Sequence, residues 1–489
     1  MSTDIVAAID VGTQAARCMF VAIDGEVLAD GEESIRVSSD TLPEGWAEQD
    51  ADEWWRATQV ACAKAMRELS RGRGLDSTRI RAVTVDSTSG TVVPVGGEGQ
   101  ALRSALMYND VRAIEETEIV QAAATDLCAR LGYAFQPSFS LPKILWLRRH
   151  EPDTFADARR FLHAADYIVA RLSGGAMVSD TSNALKSGYD LTVGEWPTFI
   201  ADDLGIEETL LPDVHQPGSE VAQVDDAAAA ATGIPTGTPI MAGCTDGTAA
   251  FLASGASLPG DVNANLGTTL VVRAVATQLI KDPLGRIYCH RHPDGWWLPG
   301  GASSSGCEIV IREFGDRARD IEKEVLDVTP TGALLYPLAR VGERLPFNDA
   351  AARGFCIDKP ESDAAFLGAM IEGCAYLERW TFDLLAELGG ESPTRVFATG
   401  GTANSAVWLQ VQADVLGMEL RRPSVPQSGF GAAILAASGV HGSVSAASSA
   451  MVSPDIVVAP DDDRHERYSA DYARFREACA ARGYGETQQ

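Results

Sequence analysis

Two stretches of the sequence decide the fold: VAAIDVGT at residues 6–13 and VNANLGTT at residues 262–269. In each, a short apolar or alternating strand leads into Gly-Thr, and apolar sequence resumes soon after, at 18–21 and at 270–272. This pattern predicts a β-hairpin whose turn exposes a glycine, its amide and a neighbouring hydroxyl. Successive backbone N–H groups in such a turn form a concavity suited to phosphate. Two copies about half a chain apart predict two similar domains that grip one nucleotide.

The bulk composition indicates a soluble protein of several domains. The 489 residues exceed what one hydrophobic core usually serves, so two or three domains are expected. A formal net charge of −28 argues against a nucleic acid or an anionic membrane as partner, because the field repels both. Solubility or adaptation to salt is the simplest explanation of this acidic charge.

The cysteine pattern and the N-terminus predict a cytoplasmic protein. The nine cysteines are scattered without any C-x-x-C pair, which favours reduced thiols over a disulfide framework or a zinc site. The first residues lack the basic start and apolar core of a signal peptide. No uncharged apolar run approaches the length of a membrane span.

The turn-rich stretch 255–260 predicts a boundary between a first domain, 1–257, and a second domain, 258–489. In the first domain we expect strands at 5–9, 17–23, 26–28, 81–85 and 92–95, and helices at 50–69, 111–130, 142–149, 164–172 and 225–231. In the second we expect a strand at 395–398 and helices at 362–388, 404–417, after 428 and at 467–481. The Ser-, Ala- and Val-rich stretch 441–460 is expected to be a loose segment.

Two aspartates are candidates for phosphoryl-transfer chemistry. Asp10 lies at a strand end beside Gly12 and Thr13, where a carboxylate can hold a hydrated Mg²⁺ or orient a substrate hydroxyl. A turn that satisfies local amides is the alternative for Asp10. Asp246 stands between glycines where an apolar strand meets a small-residue helix. It is a candidate general base for a hydroxyl that attacks phosphorus, and a helix N-cap is the alternative.

A cluster of small hydroxyl residues follows another predicted strand. Residues 86–91 (DSTSGT) include Thr88 and Ser89, and four hydroxyls beside a carboxylate suit the recognition of a polyol. An ordinary polar turn is the alternative. Farther on, MYNDVR at 107–112 contains Asp110 and Arg112, which either form a surface pair or line the same pocket.

A pair of glycines marks a third candidate site, at TGGTAN, residues 399–404. Gly400 and Gly401 lie between a strand and a helix, where a flat ring can approach the backbone. The helix start favours an anion or a ribose phosphate.

Several nucleotide and catalytic motifs are absent from the sequence. There is no G-x-x-x-x-G-K-[ST] loop, no G-x-G-x-x-G after a strand and no G-x-S-x-G elbow. Lysine occurs only six times, so phosphate chemistry must depend on backbone amides, arginine and a metal ion. The pair His290 and His292 has no further metal ligand nearby in the sequence.

Taken together, these motifs resemble the FGGY carbohydrate kinases of the actin/hexokinase/Hsp70-like superfamily. The resemblance covers nearly the whole chain and is carried, in order, by IDVGT (9–13) with Arg17, GWAEQD (45–50), PKILWL (142–147), ADY (165–167), GCTDG (243–247), LGTT (266–269), GERLPF (342–347), TGG (399–401) and GAA (431–433). It implies an α/β fold of two actin-like, ribonuclease H-like domains around a central cleft. In that fold, residues 1–257 are expected to bind the sugar and to contain the catalytic aspartate. Residues 258–489 are expected to bind the nucleotide.

The resemblance also implies roles for individual residues. Asp246 matches the catalytic base, and Asp10, Ser89 and Asp246 match residues that touch the sugar, with Thr88 in the same cluster. Gly12, Thr13, Gly267 and Thr268 match residues around the phosphates, and Gly400, Gly401 and Asn404 match residues near the adenosine. ATP and Mg²⁺ are the expected cofactors, with Asp10 holding the metal through water.

The sequence of the hydroxyl cluster indicates which substrate to expect. Xylulokinases typically have Gln-Met-His-Gly where this chain has residues 87–90 (STSG), and glycerol kinases have Asn-Gln-Arg-Glu. The chain is most similar to the D-ribulose kinases related to plant and cyanobacterial xylulokinase-like proteins. Relatives often carry an acidic residue where this chain has residues 427–430 (QSGF).

We therefore expect ATP-dependent phosphorylation of D-ribulose to D-ribulose 5-phosphate. Another ketose or polyol (xylulose, ribitol or erythritol) and a non-catalytic nucleotide-binding sensor are the alternatives. The expected partners are a small sugar and ATP, with no nucleic acid and no membrane. A homodimer is expected only because dimers are the commonest assemblies.

Overall fold

The first half of the chain alternates strands with helices. The structure, a computed structural model, describes residues 4–36 and 42–485. The strands up to residue 253 are β1 (Ile5–Val11), β2 (Ala15–Ala22), β3 (Val27–Ser34), β4 (Glu48–Gln49), β5 (Ile80–Ser87), β6 (Val93–Val95), β7 (Ala105–Leu106), β8 (Arg160–Leu162), β9 (Val178–Asp180), β10 (Asp213–His215), β11 (Glu220–Gln223) and β12 (Pro239–Thr245). The helices are α1 (Ala51–Arg73), α2 (Ile114–Ala123), α3 (Thr125–Leu131), α4 (Ser140–His150), α5 (Pro152–Asp157), α6 (Ala164–Ser173), α7 (Thr181–Ala184), α8 (Phe199–Asp202), α9 (Asp226–Thr232) and α10 (Asp246–Ala253).

The second half repeats this alternation with longer helices. Its strands are β13 (Asp261–Leu266), β14 (Leu270–Ala274), β15 (Tyr288–Arg291), β16 (Trp297–Ala302), β17 (Leu334–Tyr336), β18 (Phe355–Ile357), β19 (Arg395–Thr399), β20 (Leu420–Pro423) and β21 (Pro454–Val458). Its helices are α11 (Glu308–Phe314), α12 (Ala318–Ile321), α13 (Val325–Val328), α14 (Asp363–Glu387), α15 (Ala406–Leu416), α16 (Ser428–His441), α17 (Val444–Met451) and α18 (Asp462–Ala480).

The chain divides into two compact units. Unit 1 consists of Met1–Ala253, Pro293–Gly295 and Gln427–Ser453, and unit 2 consists of Ser254–His292, Trp296–Pro426 and Pro454–Gln489. The sequence predicts one boundary at 257/258, whereas the main division lies at 253/254 and the chain returns to unit 1 at Gln427. The return occurs because α16 packs against β1, β5 and α10.

Unit 1 is built on a six-stranded sheet with the order β11–β12–β5–β1–β2–β3. Strands β12, β5 and β1 are parallel, and β2 and β3 continue from β1 as an antiparallel meander. Helix α1 packs against β2 and β3, α6 against β5, and α16 against β1 and β5. Alternate residues of β1, such as Ile5, Ala7 and Ile9, belong to the buried core shared with α1 and α6.

Unit 2 is built on a seven-stranded sheet with the order β15–β16–β14–β13–β19–β20–β21. Strands β13, β19 and β20 are parallel, and β14 is antiparallel to both β13 and β16. The run β16–β14–β13–β19–β20 therefore has the same order and directions as β3–β2–β1–β5–β12 of unit 1. The predicted α/β fold of two ribonuclease H-like domains is confirmed, and the two Gly-Thr motifs lie at equivalent hairpins.

Some local predictions are wrong in their boundaries. The helix expected at 111–130 is two helices, α2 and α3, separated at Ala124. The last helix begins at Asp462, earlier than expected, because the Asp461 side chain caps it by accepting the Arg464 N–H at 3.0 Å.

The stretch 441–460, expected to be loose, is ordered structure. Helix α17 lies within it and packs against α16, and β21 pairs with β20. Small side chains such as Ala447 and Ser448 let α17 pack closely while Val444 and Met451 are buried. In this stretch, the many small residues therefore indicate close packing between helices and not a loose segment.

Among residues 4–36 and 42–485, no single helix is long and apolar enough to cross a membrane. Helices α16 and α17 reach that length and hydropathy only as a pair, and the pair is bent by 114°.

Candidate active site

The first Gly-Thr turn connects β1 to β2. The last strand pair is Val11 with Ala16, and the Gly12 N–H donates to the Ala15 carbonyl at 3.0 Å. The Thr13 carbonyl accepts from Gln49 Nε2 at 2.7 Å. The expectation that the glycine amide is exposed is wrong, because this amide closes the turn. The Thr13 N–H and hydroxyl are the donors that the turn presents.

The second Gly-Thr turn has the same internal bond. The Gly267 N–H donates to the Thr269 carbonyl at 3.1 Å, so this glycine amide is also used within its turn. The Gly267 carbonyl accepts the Cys307 N–H at 2.9 Å, which fixes the turn to the segment that starts α11. Thr268 at the tip is exposed. Within the part of the chain that the structure describes, the threonine of each turn, rather than the glycine, has donor groups without a partner.

Three carboxyl groups lie at the ends of three adjacent parallel strands of unit 1. Asp10 of β1 pairs in register with Asp86 of β5, and Asp246 directly follows β12 on the other side of β5. Asp86 is fully buried, and burial together with the negative charges of Asp10 and Asp246 raises its pKa well above the usual value. Both Asp86 oxygens lack a hydrogen-bond partner among the described residues. The two aspartates predicted from sequence are therefore brought together, with Asp86 between their strands.

Asp10 is held by two neighbours. Its Oδ2 accepts a hydrogen bond from Ser428 Oγ at 2.9 Å, and Arg17 Nη1 lies 3.6 Å from the same oxygen. Burial is the largest effect on the pKa of Asp10 and raises it, while Ser428 and Arg17 lower it. Ser428 is the first residue of α16, so a helix N-terminus also faces the carboxylate. The departure at residues 427–430 therefore provides a direct partner for Asp10.

Asp246 is the first residue of α10 and is half-buried. Its Oδ1 accepts the N–H of Gly247 at 2.6 Å. The preceding Thr245 is fixed in place, since its N–H donates to Ser182 Oγ at 2.8 Å and its hydroxyl lies 3.0 Å from that of Thr248. The Gly247 N–H and the fixed Thr245 therefore orient the Asp246 carboxylate at a rigid strand end.

We call residues 86–91 the hydroxyl turn. Ser87 Oγ accepts the Ala165 N–H at 2.9 Å, and the hydroxyls of Thr88 and Thr91 lie 3.2 Å apart. These three hydroxyls stabilise the turn itself. Ser89 Oγ is buried and has no partner among the described residues, so it is the hydroxyl that the turn leaves for a ligand.

We call residues 107–112 the arginine loop. The Asp110 and Arg112 side chains are 0% and 1% exposed, so they do not form a surface pair. Arg112 Nη2 lies 2.7 Å from carboxylate oxygens of both Asp110 and Glu48. The guanidinium carbon also lies 3.6 Å from the ring centroid of Trp46. The Asp110 and Arg112 side chains are therefore a buried, ion-paired anchor of the loop, whereas Tyr108, Asn109 and Val111 are exposed.

The donor set of unit 1 fits a hydrated Mg²⁺ ion. The described residues include no group of three or more His, Cys, Asp or Glu side chains arranged to hold a metal directly, and His290 and His292 are no exception. Mg²⁺ usually keeps several waters and binds one or two carboxylates plus substrate phosphates. Asp10, beside the unpartnered carboxyl of Asp86, fits that mode because a cation would offset their mutual repulsion.

Unit 2 contains a separate cleft of about 650 Å³ next to its Gly-Thr turn. It is lined by the four predicted residues Gly267, Thr268, Gly401 and Asn404, together with Cys307, Val310, Ile311, Arg319, Glu322, Thr402, Ser405 and Trp408. Gly400 has φ +87°, and a Cβ on it would lie 2.5 Å from the Leu266 carbonyl. Only glycine can bring the 3₁₀ turn Gly401–Asn404 this close to the end of β13.

The comparison with protein families decides the assignment. Residues 5–253 match the N-terminal domain, and residues 262–440 the C-terminal domain, of the FGGY family of carbohydrate kinases. This chain belongs to that family. It is accordingly a sugar kinase.

Known FGGY kinases resemble the chain over most of its length. The xylulose kinases of Bacillus subtilis (strain 168) and Escherichia coli (strain K12) are 27% and 26% identical, over 89% and 84% of this chain and 88% and 85% of theirs. The crystal structure of xylulose kinase from Rhodospirillum rubrum is 26% identical with a TM-score of 0.86 and covers 98% of both chains. Plasmodium falciparum glycerol kinase with ADP, 18% identical, shares the fold at a TM-score of 0.82 over 97% of this chain and 98% of that one.

Sequence reasoning missed several residues of this FGGY kinase's clefts. Arg319 of α12 and Glu322, which directly follows α12, line the unit 2 cleft, and Glu322 accepts a hydrogen bond from the Ser405 hydroxyl. Trp408 reaches the cleft from α15. No motif marks these residues, because separate, distant segments assemble that wall. The sequence marks Asp86 only as one member of the polar cluster at 86–91.

Proposed function

We propose that this FGGY kinase transfers the γ-phosphoryl group of ATP to a terminal hydroxyl of a ketopentose. The observation that carries the proposal is the convergence of Asp10, Asp86 and Asp246 at three adjacent strand ends. The buried, unpartnered hydroxyl of Ser89 follows the same edge of the sheet and suits a sugar hydroxyl.

Asp246 is the general base of the proposed reaction. Its carboxylate accepts the proton of the terminal hydroxyl as that oxygen forms a bond to the γ-phosphorus. The bond from the γ-phosphorus to the bridging oxygen breaks, ADP leaves with the electron pair, and the proton then passes to solvent. The hydrogen bond from the Gly247 N–H holds Asp246 Oδ1 and so helps to orient the carboxylate.

Asp10 would orient the sugar by a hydrogen bond to it, and would also be the residue that holds a hydrated Mg²⁺. Mg²⁺, when bound with ATP, offsets the negative charge of the phosphates. Burial raises the pKa of Asp10, and the Ser428 bond and Arg17 lower it and so favour the ionised carboxylate.

The nucleotide is proposed to bind the unit 2 cleft. Gly267 and Thr268 suit the phosphates, and Gly400, Gly401 and Asn404 suit the adenosine. Gly12 and Thr13 of unit 1 suit the phosphate that is transferred. Arg319 adds the cleft's exposed cationic side chain.

D-Ribulose is the proposed substrate, with D-xylulose as the second candidate. The STSG sequence at 87–90 supports D-ribulose through its similarity to D-ribulose kinases. The names of the relatives, which are xylulose kinases, support D-xylulose. The two sugars differ only in configuration at one carbon, so a few pocket side chains decide between them.

A coupled assay of ADP release tests the proposal. We expect sugar-dependent release with D-ribulose, less with D-xylulose, and little with ribitol, erythritol or glycerol. A preference for D-xylulose would correct the substrate and keep the reaction. No release with any ketopentose would contradict the proposed function and favour a nucleotide-binding sensor.

A further inference from the structure

Lys143 is a lysine with no exposed surface, in the first turn of α4. Its Nζ donates to three backbone carbonyls: Gly90 at 3.0 Å, Met107 at 2.5 Å and Ser138 at 3.0 Å. An ammonium group has three N–H donors, so all of them are used. Lys143 therefore has no donor left for a phosphate or for the sugar itself.

The three carbonyls belong to three different segments of unit 1. Gly90 lies in the hydroxyl turn, Met107 begins the arginine loop, and Ser138 lies just before α4. Met107 also accepts the Asp110 N–H at 3.0 Å, so the lysine is attached to the tightest part of the arginine loop. Lys143 thus joins both segments singled out for sugar recognition to the helix that carries it.

We propose that Lys143 is a positioning residue for sugar binding, which holds the hydroxyl turn against the arginine loop and so places the Ser89 hydroxyl for the sugar. This inference rests on the proposed function, because it assigns the ligand of that turn as a sugar hydroxyl. Ser89 precedes Gly90 directly, so a shift of the Gly90 carbonyl moves the Ser89 side chain. Among the described residues, Ser89 Oγ is buried without a hydrogen-bond partner, as expected of a hydroxyl whose partner is a bound ligand.

An apolar residue cannot replace Lys143 without loss. A methionine of similar length fills the space, but it removes the hydrogen bond that each of the three buried carbonyls accepts from Lys143. Among the described residues, only the Met107 carbonyl keeps another donor, the Asp110 N–H. The segments then separate or admit water, and the sugar has to order them on binding. The consequence falls on sugar affinity rather than on the nucleotide, because all three segments belong to unit 1.

The protonation state of Lys143 gives a second readout. Burial lowers the pKa of Lys143 to about 7, Asp110 opposes this effect, and Lys186 and Arg112 add to it. The neutral amine has two N–H groups for three carbonyls, so one segment loses its donor. We therefore expect the KM for the sugar to rise as pH increases through about 7, with the KM for ATP unaffected by this group.

The test compares Lys143→Met with the matched control Lys64→Met. Lys64 also donates to a backbone carbonyl of unit 1, that of Glu32 at 2.6 Å, but it lies on α1 away from both segments. We expect Lys143→Met to raise the KM for the sugar about tenfold to hundredfold and to keep the KM for ATP within about twofold. The rise of sugar KM with pH should also disappear. Lys64→Met should match the wild type.

An unchanged sugar KM in folded Lys143→Met, or an equal rise in the KM for ATP, overturns the inference. If the variant fails to fold, the wild-type pH profile decides, and a flat sugar KM between pH 6 and 9 overturns the inference. If the wild type phosphorylates no ketopentose, the proposed function fails by itself. Hydrogen–deuterium exchange then tests Lys143, since faster exchange confined to residues 88–91 and 107–112 supports it and unchanged exchange contradicts it.

Discussion

The two Gly-Thr hairpins share strand pairing but differ in charge. One residue before the end of the first strand stands Asp10 in unit 1 and Asn265 in unit 2. Their partners on the neighbouring parallel strand are Asp86 and Thr399, respectively. Two carboxyl groups in one hairpin site therefore correspond to an amide and a hydroxyl in the other.

Under the proposed function, this difference explains how one supersecondary structure would serve two ligands. Carboxylates attract hydrated cations and accept hydrogen bonds from sugar hydroxyls, but they repel phosphate. Neutral donors beside the Thr268 tip suit an anionic phosphate chain. The backbone of the hairpin supplies the shape, and the side chains at the strand ends decide the ligand.

The largest expected effect lies in the carboxylates of unit 1. Asp246→Asn should lower kcat about a hundredfold to ten-thousandfold, because it removes the general base while keeping a similar shape. Steady-state kinetics with sugar and ATP measure this. The control is Asp226→Asn, which changes an aspartate in the first turn of another unit 1 helix, α9, and should have no effect. Near-normal turnover of Asp246→Asn contradicts the base assignment.

Glu378, a buried acid of unit 2, provides a contrast with the carboxylates of unit 1, because its substitution should change stability and leave catalysis unchanged. Burial raises the pKa of Glu378 from its ordinary value to about 7, and the Gln412 amide, which donates to it at 2.7 Å, lowers it partly. The folded protein then binds a proton that the unfolded chain releases between about pH 4.5 and 7, so the free energy of unfolding falls as pH rises through this window.

Glu378→Gln should therefore be more stable than the wild type at pH 8, on the order of 3 kcal/mol, with unchanged kcat. Denaturant unfolding at pH 5 and pH 8 measures the change. Glu387→Gln, on the exposed end of the same helix, is the control. A variant that loses activity but gains no stability at pH 8 would assign Glu378 a role in function instead.

Asp10→Asn makes the first hairpin resemble the second. We expect kcat to fall about tenfold to hundredfold and the Mg²⁺ concentration for half-maximal rate to rise, because a charge-assisted interaction is lost. Titration of Mg²⁺ at saturating ATP and sugar measures both. Asp24→Asn, in the exposed turn after β2, should behave as the wild type. Unaltered Mg²⁺ dependence would remove Asp10 from the metal site.

The smallest expected effect comes from a substitution in the packing of α16, the helix that places Ser428 on Asp10. A Cβ on Gly431 would lie 1.8 Å from the Ala249 carbonyl of α10, whereas one on Gly439 of the same helix meets only the Met241 side chain at 3.8 Å. Gly431→Ala should lower the free energy of unfolding by about 1–3 kcal/mol and Gly439→Ala should not, as measured by denaturant unfolding. Equal stability of both variants would contradict the close packing of α10 and α16.

The sequence predicts the local parts of the fold well. Glycine, threonine and alternating apolar residues mark both hairpins, and Asp10 and Asp246 stand out because each ends a strand. These signals are short-range, since they depend on a few consecutive residues. The repeat of the Gly-Thr pattern predicts two similar domains, and the resemblance to FGGY kinases implies that both have the ribonuclease H-like fold.

Long-range packing is what the sequence alone does not reveal. Nothing near residue 427 indicates that α16 returns to unit 1 and places Ser428 on Asp10. Lys143 lies in an apolar helix, and its three carbonyl partners come from segments that only the fold brings together. Arg319 reaches its cleft from a stretch without regular pattern.

Nucleotide affinity in two reciprocal variants tests the central claim most directly. Asn265→Asp introduces a carboxylate beside the second turn, and Asp10→Asn removes one beside the first. In calorimetric titrations with ADP and no metal, we predict that Asn265→Asp weakens binding about tenfold or more, whereas Asp10→Asn stays within about twofold of the wild type. Weaker ADP binding in Asp10→Asn with unaltered binding in Asn265→Asp would contradict the division of roles between the two hairpins.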